Sequence, residues 1–377
     1  MSAAPAGILM TMHRFSQGGA DRVGVLLANG FVRAGIPTRI ALLRDGGEGD
    51  QTLRALADPR VAIVSAGRAL RSRHLELVRG VGFLRREIAD TRPALVLASS
   101  NNMGLVTGIA TGPSATNGPG FAMKVTNPVV RPHDGGRVRR AYRRGLYRFI
   151  FGHYERILVL TEAERDVLVA ISPRLADRFH TVANPYIAND LGADGPRERR
   201  AGPPHILAIG RMMPQKRLDL LLRAFAQVAD GAAQLTILGD GPLRPNLEQL
   251  AAKLGIAGRV HMPGFVDDVA PWFRTADLFA LSSDYEGLPA ALLEALACNV
   301  PVVTTDCFAG ARALLADAPS CVVTPVGDPV ALGAALAAAL DREQPAHDLR
   351  PISRPYAFDA AIAAHIAALA PLLRPRA

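Results

Sequence analysis

Ser283-Asp284-Tyr285-Glu286-Gly287-Leu288-Pro289-Ala290-Ala291-Leu292-Leu293-Glu294-Ala295-Leu296-Ala297 decides how this chain is read, because it sets two carboxylates at the mouth of a helix. Leu278, Phe279, Ala280 and Leu281, just before it, make an apolar run of the length of a short buried strand. Pro289 fits the first helical turn, where a missing N–H costs nothing. Glu286 therefore belongs to the strand-to-helix loop and Glu294, eight positions on, to the helix. Two helical residues at that spacing would stand about 80° apart around the axis; with Glu286 ahead of the helix, both can face one cleft. The N–H groups of Gly287, Leu288 and the turn after Pro289, with the helix dipole behind them, suit an anion such as a phosphate. A carboxylate accepts two hydroxyl protons at once, so Glu294 suits a diol such as a ribose, and Glu286 the hydroxyls of a sugar. The plain alternative is an amphipathic helix whose glutamates are solvated or capping.

Upstream of this stretch, His205 to Ile209 is strand-like, and Leu218, Leu221, Leu222, Phe225 and Val228 mark a helix. Between them lies Gly210-Arg211-Met212-Met213-Pro214-Gln215-Lys216-Arg217. Arg211 and Lys216 bracket this loop, and two fixed cations at the carboxyl end of a strand can neutralise a departing diphosphate as its charge develops. Surface salt bridges are the alternative, and the expected one for Arg217. Gln234 to Gly239, Val260 to Val266, Asp277 to Leu281, Val300 to Thr304 and Cys321 to Thr324 continue the strand series. Phe265 and Val266 are placed to offer backbone groups to a nucleotide base, with a core role for Phe265 as the alternative.

The first half repeats this grammar. Gly7 to Met12 reads as a strand, followed by Gly18-Gly19-Ala20-Asp21-Arg22-Val23 and a helix through Val25, Leu26, Leu27 and Phe31. The turn lacks the full G-x-G-x-x-G fingerprint, which argues against a nicotinamide dinucleotide. Strand-like runs at Arg39–Leu43, Val61–Val64, Ala94–Ala98, Phe121–Thr126 and Arg156–Leu160 alternate with helical stretches, as a doubly wound parallel sheet requires. Ligands bind beyond the carboxyl ends of such strands. That brings forward Asn101 and Asn127 as acceptor contacts, although asparagines are also ordinary turn formers. Arg131 and His133, in the loop Arg131-Pro132-His133-Asp134-Gly135-Gly136, are candidates for the same cleft, with simple exposure as the alternative. After them, Arg137, Arg139, Arg140, Arg143, Arg144 and Arg148 alternate with Val138, Tyr142, Leu146 and Phe149 at helical spacing. This basic amphipathic helix meets either anionic lipid, a phosphorylated acceptor or merely solvent. Nucleic acid is the poorer fit, since no recognised nucleic-acid module surrounds it.

Glu286-Gly287-Leu288-Pro289 with Glu294, the Gly210–Arg217 loop and Gly239-Asp240-Gly241-Pro242 together resemble the donor half of retaining glycosyltransferases of family 4. The looser resemblance, including Gly18-Gly19-Ala20, covers nearly the whole chain. It implies an α/β protein of GT-B fold, two Rossmann-like domains facing a central cleft, with the C-terminal helix crossing back to the first domain. The expected divisions are an acceptor-side domain 1–188, a linker 189–204, a nucleotide-sugar domain 205–355 and the returning helix 356–377. By the same resemblance Arg211 and Lys216 take the diphosphate, Glu294 the ribose and Glu286 the transferred sugar. Gly18, Gly19, Gly239, Phe265, Val266, Gly287, Leu288 and Pro289 complete the donor pocket. One departure stands out: where the family commonly has Gly-Pro-x-Glu, this chain has Gly310-Ala311-Arg312-Ala313, so Ala313 replaces an acid.

Composition agrees with a globular enzyme. The chain has 377 residues, 49% of them apolar, which is ample for two cores. No apolar run reaches the roughly 18 residues of a membrane span, and Met1 to Met12 lacks a basic leader. Cys298, Cys307 and Cys321 have no metal spacing and read as buried thiols in a reducing cytoplasm. A net charge of +9 fits anionic substrates or a membrane surface. The sequence therefore predicts a cytoplasmic transferase moving a sugar from a UDP- or GDP-sugar to a hydroxyl acceptor, lipid-linked acceptors included, with retention of configuration. No cofactor or metal is expected, since no aspartate cluster or His/carboxylate set offers ligands. Contact with anionic membrane through the Arg-rich helix is the further expectation. A nucleotide-sugar epimerase and a non-catalytic scaffold are the rivals.

Overall fold

The structure is a computed structural model; it describes residues 7–16, 19–46, 49–70, 72–112, 118–129, 136–188, 191–192, 202–228, 231–341 and 347–373. The chain divides into two compact units, Met1–Pro185 with Phe358–Ala377, and Tyr186–Ala357.

The first unit is built on β1 (Ile8–Met12), β2 (Thr38–Leu42), β3 (Ala62–Ser65), β4 (Leu95–Ala98), β5 (Gly120–Lys124), β6 (Arg156–Val159) and β7 (Phe179–Thr181). They form one sheet in the order β3-β2-β1-β4-β5-β6-β7, and every pairing is parallel. β1, β4 and β5 are buried along their whole length, as a parallel sheet covered on both faces demands. The three-residue edge strand β7 is an addition to the strands expected from sequence. The helix Glu162–Ile171 opens on a reciprocal cap: Thr161 Oγ1 accepts the Glu164 N–H at 3.1 Å, and Glu164 Oε2 accepts the Leu160 N–H at 3.2 Å. Burial pushes the Glu164 carboxyl up to about 7.

The helix Phe358–Leu369 returns to this unit, as the resemblance implied. It crosses the helix Gly19–Arg33 so closely that a Cβ at Gly30 would come 2.2 Å from Ile362 Cδ1. Only glycine permits that approach. Lys124 at the end of β5 and His365 on the returning helix meet in the interior, Nζ to Nε2 at 2.6 Å.

The second unit repeats the plan with β8 (His205–Ile209), β9 (Gln234–Leu238), β10 (Val260–Gly264), β11 (Leu278–Leu281), β12 (Val302–Thr305) and β13 (Val322–Thr324). Their order is β10-β9-β8-β11-β12-β13, again all parallel. The core packs Ile206, Ala208, Leu235, Ile237, Leu278 and Ala280 against Leu221, Leu222 and Phe225 of the helix Leu218–Phe225. The strand order reverses between β8 and β11, which is where a ligand site is expected in such sheets. Among the described residues no helix is long and apolar enough to cross a membrane. Cys307 is buried, whereas Cys298 and Cys321 are only partly so, a correction to the expectation of three buried thiols; none of the three is in a disulfide.

Two assignments on the basic helix Arg137–Gly152 change. Its buried residues are Tyr147, Ile150 and Phe151, while Val138, Tyr142 and Phe149 are 84%, 69% and 57% exposed. Of the periodic apolar stripe seen in sequence, only Leu146 packs against the core while the other three point outward, and an ordinary helix with only its arginines solvated does not describe it.

Candidate functional site

The site in the second unit starts where β8 ends. Beyond Ile209 the chain turns sharply: the Met213 N–H donates to the Arg211 carbonyl at 2.7 Å, and the Met212 N–H to the Asp240 carbonyl at 2.9 Å. A single 3-10 turn, Pro214–Lys216, follows and is ended by Arg217 in the left-handed region, φ 46°. The Lys216 stem folds back over Gly210, where a Cβ would lie 3.1 Å from its Cε. Gly239, φ 119°, is required for a related reason: a Cβ there would meet the Gly210 carbonyl at 2.3 Å. These two glycines let the β8 and β9 exit loops close on one another.

Across the switch point, Lys216 Nζ donates to Glu286 Oε1 at 2.7 Å. Ser283 Oγ donates to the same oxygen at 2.7 Å, and Gln215 Nε2 reaches the Tyr285 carbonyl at 2.7 Å and Glu286 Oε2 at 3.5 Å. The backbone holds both loops in place. Asp284 N–H donates to the Gln215 carbonyl at 2.9 Å, and Glu286 N–H to the Cys307 carbonyl at 2.7 Å. Ser282 Oγ donates to the Lys216 carbonyl at 2.9 Å, and Thr305 Oγ1 to the Ser283 carbonyl at 2.7 Å. The side chains of Lys216 and Glu286 are 23% and 12% exposed, so the pair is largely withdrawn from water yet still reachable. Such a pair is aimed and partly desolvated, which strengthens its field on an approaching charge. Arg217 is engaged otherwise, with Asp219 at 3.1 Å and Asp284 at 3.0 Å, as its sequence position suggested.

The helix that follows is Ala290–Ala297, and no side chain caps its N-terminus. Pro289 is the residue before the helix, with extended ψ of 114°, and not part of the first turn. The consequence is small, because a proline there still leaves the following N–H groups directed out of the helix end. Leu288 is buried and anchors the loop, while Glu294 is partly buried on the second helical turn. The core alternative for Phe265 is overturned: the ring is 60% exposed. β10 stops at Gly264, φ 95°, two residues before Val266, and the Gly264 carbonyl accepts the Gly239 N–H at 2.8 Å. Ala313 is exposed on the short helix Ala311–Leu314, and its neighbour Arg312 donates to Asp306 at 2.9 Å.

Of the first-unit candidates, Gly18, Arg131 and His133 lie outside the described residues. Gly19 opens the helix Gly19–Arg33, with no atom within 4 Å of where a Cβ would stand. Asn101 braces a loop: its Oδ1 accepts the Thr126 N–H at 2.7 Å and its Nδ2 donates to the Asn127 carbonyl at 2.9 Å. Asn127 itself is exposed. The residues that sequence reasoning missed are Ser283 and Gln215. Ser283, three positions before Glu286, was in view as part of the same stretch; Gln215 was adjacent to Lys216 but carried no signal of its own.

Two parallel sheets with covering helices, and an uncapped helix at the switch point of the second, define an α/β protein of GT-B fold. Residues 203–342 match the model of the family Glycosyl transferases group 1. Among curated relatives, the α-D-kanosaminyltransferase of Streptomyces kanamyceticus is 28% identical over 216 residues, 54% of this chain and 52% of that protein. The N-acetylgalactosamine-N,N'-diacetylbacillosaminyl-diphospho-undecaprenol 4-α-N-acetylgalactosaminyltransferase of Campylobacter jejuni is 37% identical over 112 residues, 30% of each chain. The chain thus spans about half or less of the length of the curated relatives it matches. The Anabaena protein HepE, solved with UDP and glucose, superposes with a TM-score of 0.79 at 16% identity, covering 97% of this chain and 100% of that one. That likeness extends the fold to both units.

Proposed function

We propose that the protein is a retaining, metal-independent glycosyltransferase that moves a sugar from a nucleotide diphosphate sugar to a hydroxyl acceptor. The observation that carries this reading is the 2.7 Å pairing of Lys216 with Glu286 beside the uncapped start of the helix bearing Glu294. Phosphate oxygens at that helix end have N–H donors ahead and a cation beside them. Arg211 and Lys216 bind and neutralise the diphosphate, Glu294 holds the ribose, and Glu286 holds hydroxyls of the transferred sugar. UDP in the HepE complex and the diphospho-undecaprenol in the Campylobacter relative's name favour UDP-sugars and lipid-linked acceptors. A thermal-shift screen of nucleotide sugars, followed by turnover with acceptors in excess EDTA, tests the reading. A native-state ligand at 100 times its Kd adds about 2.7 kcal/mol. Turnover in EDTA is expected; strict dependence on Mg²⁺ or Mn²⁺ overturns the metal-free mechanism, and conversion of donor without an acceptor indicates an epimerase instead.

Glu286 shares its side of the sugar with the diphosphate, so it is not placed to act as a nucleophile on the opposite face. The anomeric carbon–oxygen bond to the diphosphate breaks, the acceptor oxygen bonds to that carbon on the same face, and its proton passes to the departing phosphate. Glu286→Gln is therefore expected to lose part of the rate with the product anomer unchanged. Product NMR and intact mass spectrometry check this. A sugar trapped on Glu286, or an inverted product from the wild type, defeats it.

The acceptor reading extends to a membrane surface on the first unit. Val138, Tyr142 and Phe149 stand exposed among the arginines of Arg137–Gly152. That helix packs on Asn101–Thr111, which packs on Arg73–Thr91, and these carry Ile109 at 37%, Leu75 at 61% and Val78 at 69% exposure. Apolar wedges ringed by cations are the pattern of a face that meets anionic lipid. Each basic residue near such a surface contributes about 1 kcal/mol. Flotation with anionic but not neutral liposomes at low salt is expected, and equal flotation with both rules the contact out.

A further inference from the structure

The arginines on and around β1, β2 and β3 are not alike. Arg39 pairs with Glu87, Arg54 with Asp45 and Asp50, and Arg60 with Asp58. Arg79 donates through Nη2 to the Gly67 and Arg68 carbonyls, although its Nε is buried without a partner. Arg14 and Arg44 differ: among the described residues neither guanidinium has a hydrogen bond or ion pair, and Arg44 Nε is shut off from solvent with no acceptor. A buried charged donor left unmet costs free energy, so its place in a fold calls for an explanation.

The backbone brings these groups together. β1 ends at Met12 and β2 at Leu42, and the ladder continues past both, the Leu43 N–H donating to the Met12 carbonyl and the Arg44 N–H to the His13 carbonyl, each at 2.9 Å. His13 is thus fastened to Arg44 and is followed directly by Arg14. Burial, with Arg14 and Arg44 beside it, lowers the His13 pKa, while Glu76 and Asp21 act in the opposite sense. Both carboxylates are already employed. Asp21 accepts the Ser16 N–H at 3.1 Å and the Ser16 hydroxyl, and burial raises its pKa; Glu76 accepts the Leu70 N–H at 2.8 Å. Two guanidinium groups without a hydrogen bond or ion pair among the described residues, and an imidazole, at the strand ends where ligands of such sheets bind, are a donor-rich cluster; Asp21, which feels the charge of Arg14 and His13, and Glu76 balance it only in part because both are hydrogen-bonded elsewhere.

We propose that Arg14 and Arg44, with the adjoining His13, form an anion subsite on the first unit that takes a phosphoryl group of the acceptor. Guanidinium groups match phosphate oxygens in paired hydrogen bonds, and a protonated imidazole adds a further donor. The inference rests on the reading that the first unit receives the acceptor, but the site can be tested without turnover or donor.

The probe is inorganic phosphate, and the readout is the NMR titration of the imidazole signal that disappears in His13→Gln. Phosphate is expected to raise the His13 titration midpoint in a saturable way, because a bound anion favours the imidazolium. Arg14→Ala/Arg44→Ala is expected to weaken this response roughly tenfold or more. Arg44→Lys, which keeps the charge and the stem, is expected to retain part of it and covers a misfolded double variant. Lys216→Ala is expected to respond like the wild type, which separates this anion from one bound in the second unit. An unmoved midpoint in the wild type, an undiminished response in the double variant, or a loss confined to Lys216→Ala each overturns the subsite. Glycerol 3-phosphate and soluble dihexanoylphosphatidic acid then distinguish a free phosphate ester from a lipid headgroup, the tighter ligand naming the source. If no nucleotide sugar is ever turned over yet His13 responds, the transferase reading fails and the subsite stands.

Discussion

Lys216→Ala is expected to lower kcat by roughly a hundredfold, the loss typical of one contact to charge that develops in the transition state, on the order of 3 kcal/mol. The argument turns on what the lysine does before and during reaction. It is paired to Glu286 at 2.7 Å and is 23% exposed. When the bond to the diphosphate breaks, negative charge accumulates on the leaving oxygens, and a cation already fixed by its stem against Gly210 meets that charge without reorganising. The variant should still fold. Glu286 keeps Ser283 Oγ at 2.7 Å and its N–H keeps the Cys307 carbonyl, so no carboxylate is stranded. Steady-state kinetics with the true donor decide the matter: a fall in kcat exceeding any rise in KM marks transition-state stabilisation. Turnover at the wild-type rate means that Lys216 has no part in the chemistry.

The fold was legible because its strands are apolar runs bounded by glycines and charged loops. Gln234 to Gly239 became β9 with one residue less, and Arg156 to Leu160 became β6 with one residue less. β7 escaped notice because three residues, Phe179, His180 and Thr181, with only the first buried, carry no period. The basic helix misled for the opposite reason. Val138, Tyr142, Leu146 and Phe149 recur at helical spacing, yet periodicity names a stripe without saying which neighbour covers it. The core instead took Tyr147, Ile150 and Phe151. At the site, Glu286 and Lys216 were visible as separate motifs 70 residues apart, but not their ion pair or the hydrogen bonds from Ser283 and Gln215. Those depend on two loops meeting at a switch point, which is tertiary information. Least legible of all was the meeting of Lys124 with His365, 241 positions apart, since neither residue looks unusual in its own segment.

That buried pair sets the last expectation, a stability that climbs with pH through the alkaline side of neutrality. Lys124 is 1% and His365 0% exposed. The His365 Nδ1–H donates to the Ala361 carbonyl at 2.8 Å, which leaves Nε2 as the acceptor for Lys124 Nζ. Burial lowers the Lys124 amine to about 7 from its ordinary 10.5, and burial together with Lys124 holds His365 well below its ordinary 6.5. Between those two lysine values the unfolded chain carries a proton that the folded chain has released, so stability rises with pH, by about 1.4 kcal/mol per unit for one full proton. Below neutrality the lysine is charged in both states and adds no further slope. The histidine then takes over, since the unfolded imidazole binds a proton that the folded one refuses, and stability falls again as pH drops through 6.5. Lys124→Met fills the same slot with an uncharged, unbranched chain. Its denaturant midpoints between pH 7.5 and 9 should lack the climb that Lys124 gives the wild type, and the difference between the two proteins cancels every group that they share. Parallel pH profiles for wild type and variant would show that Lys124 keeps its proton in the folded protein, and the buried contact with His365 would then be one between an ammonium and a neutral imidazole.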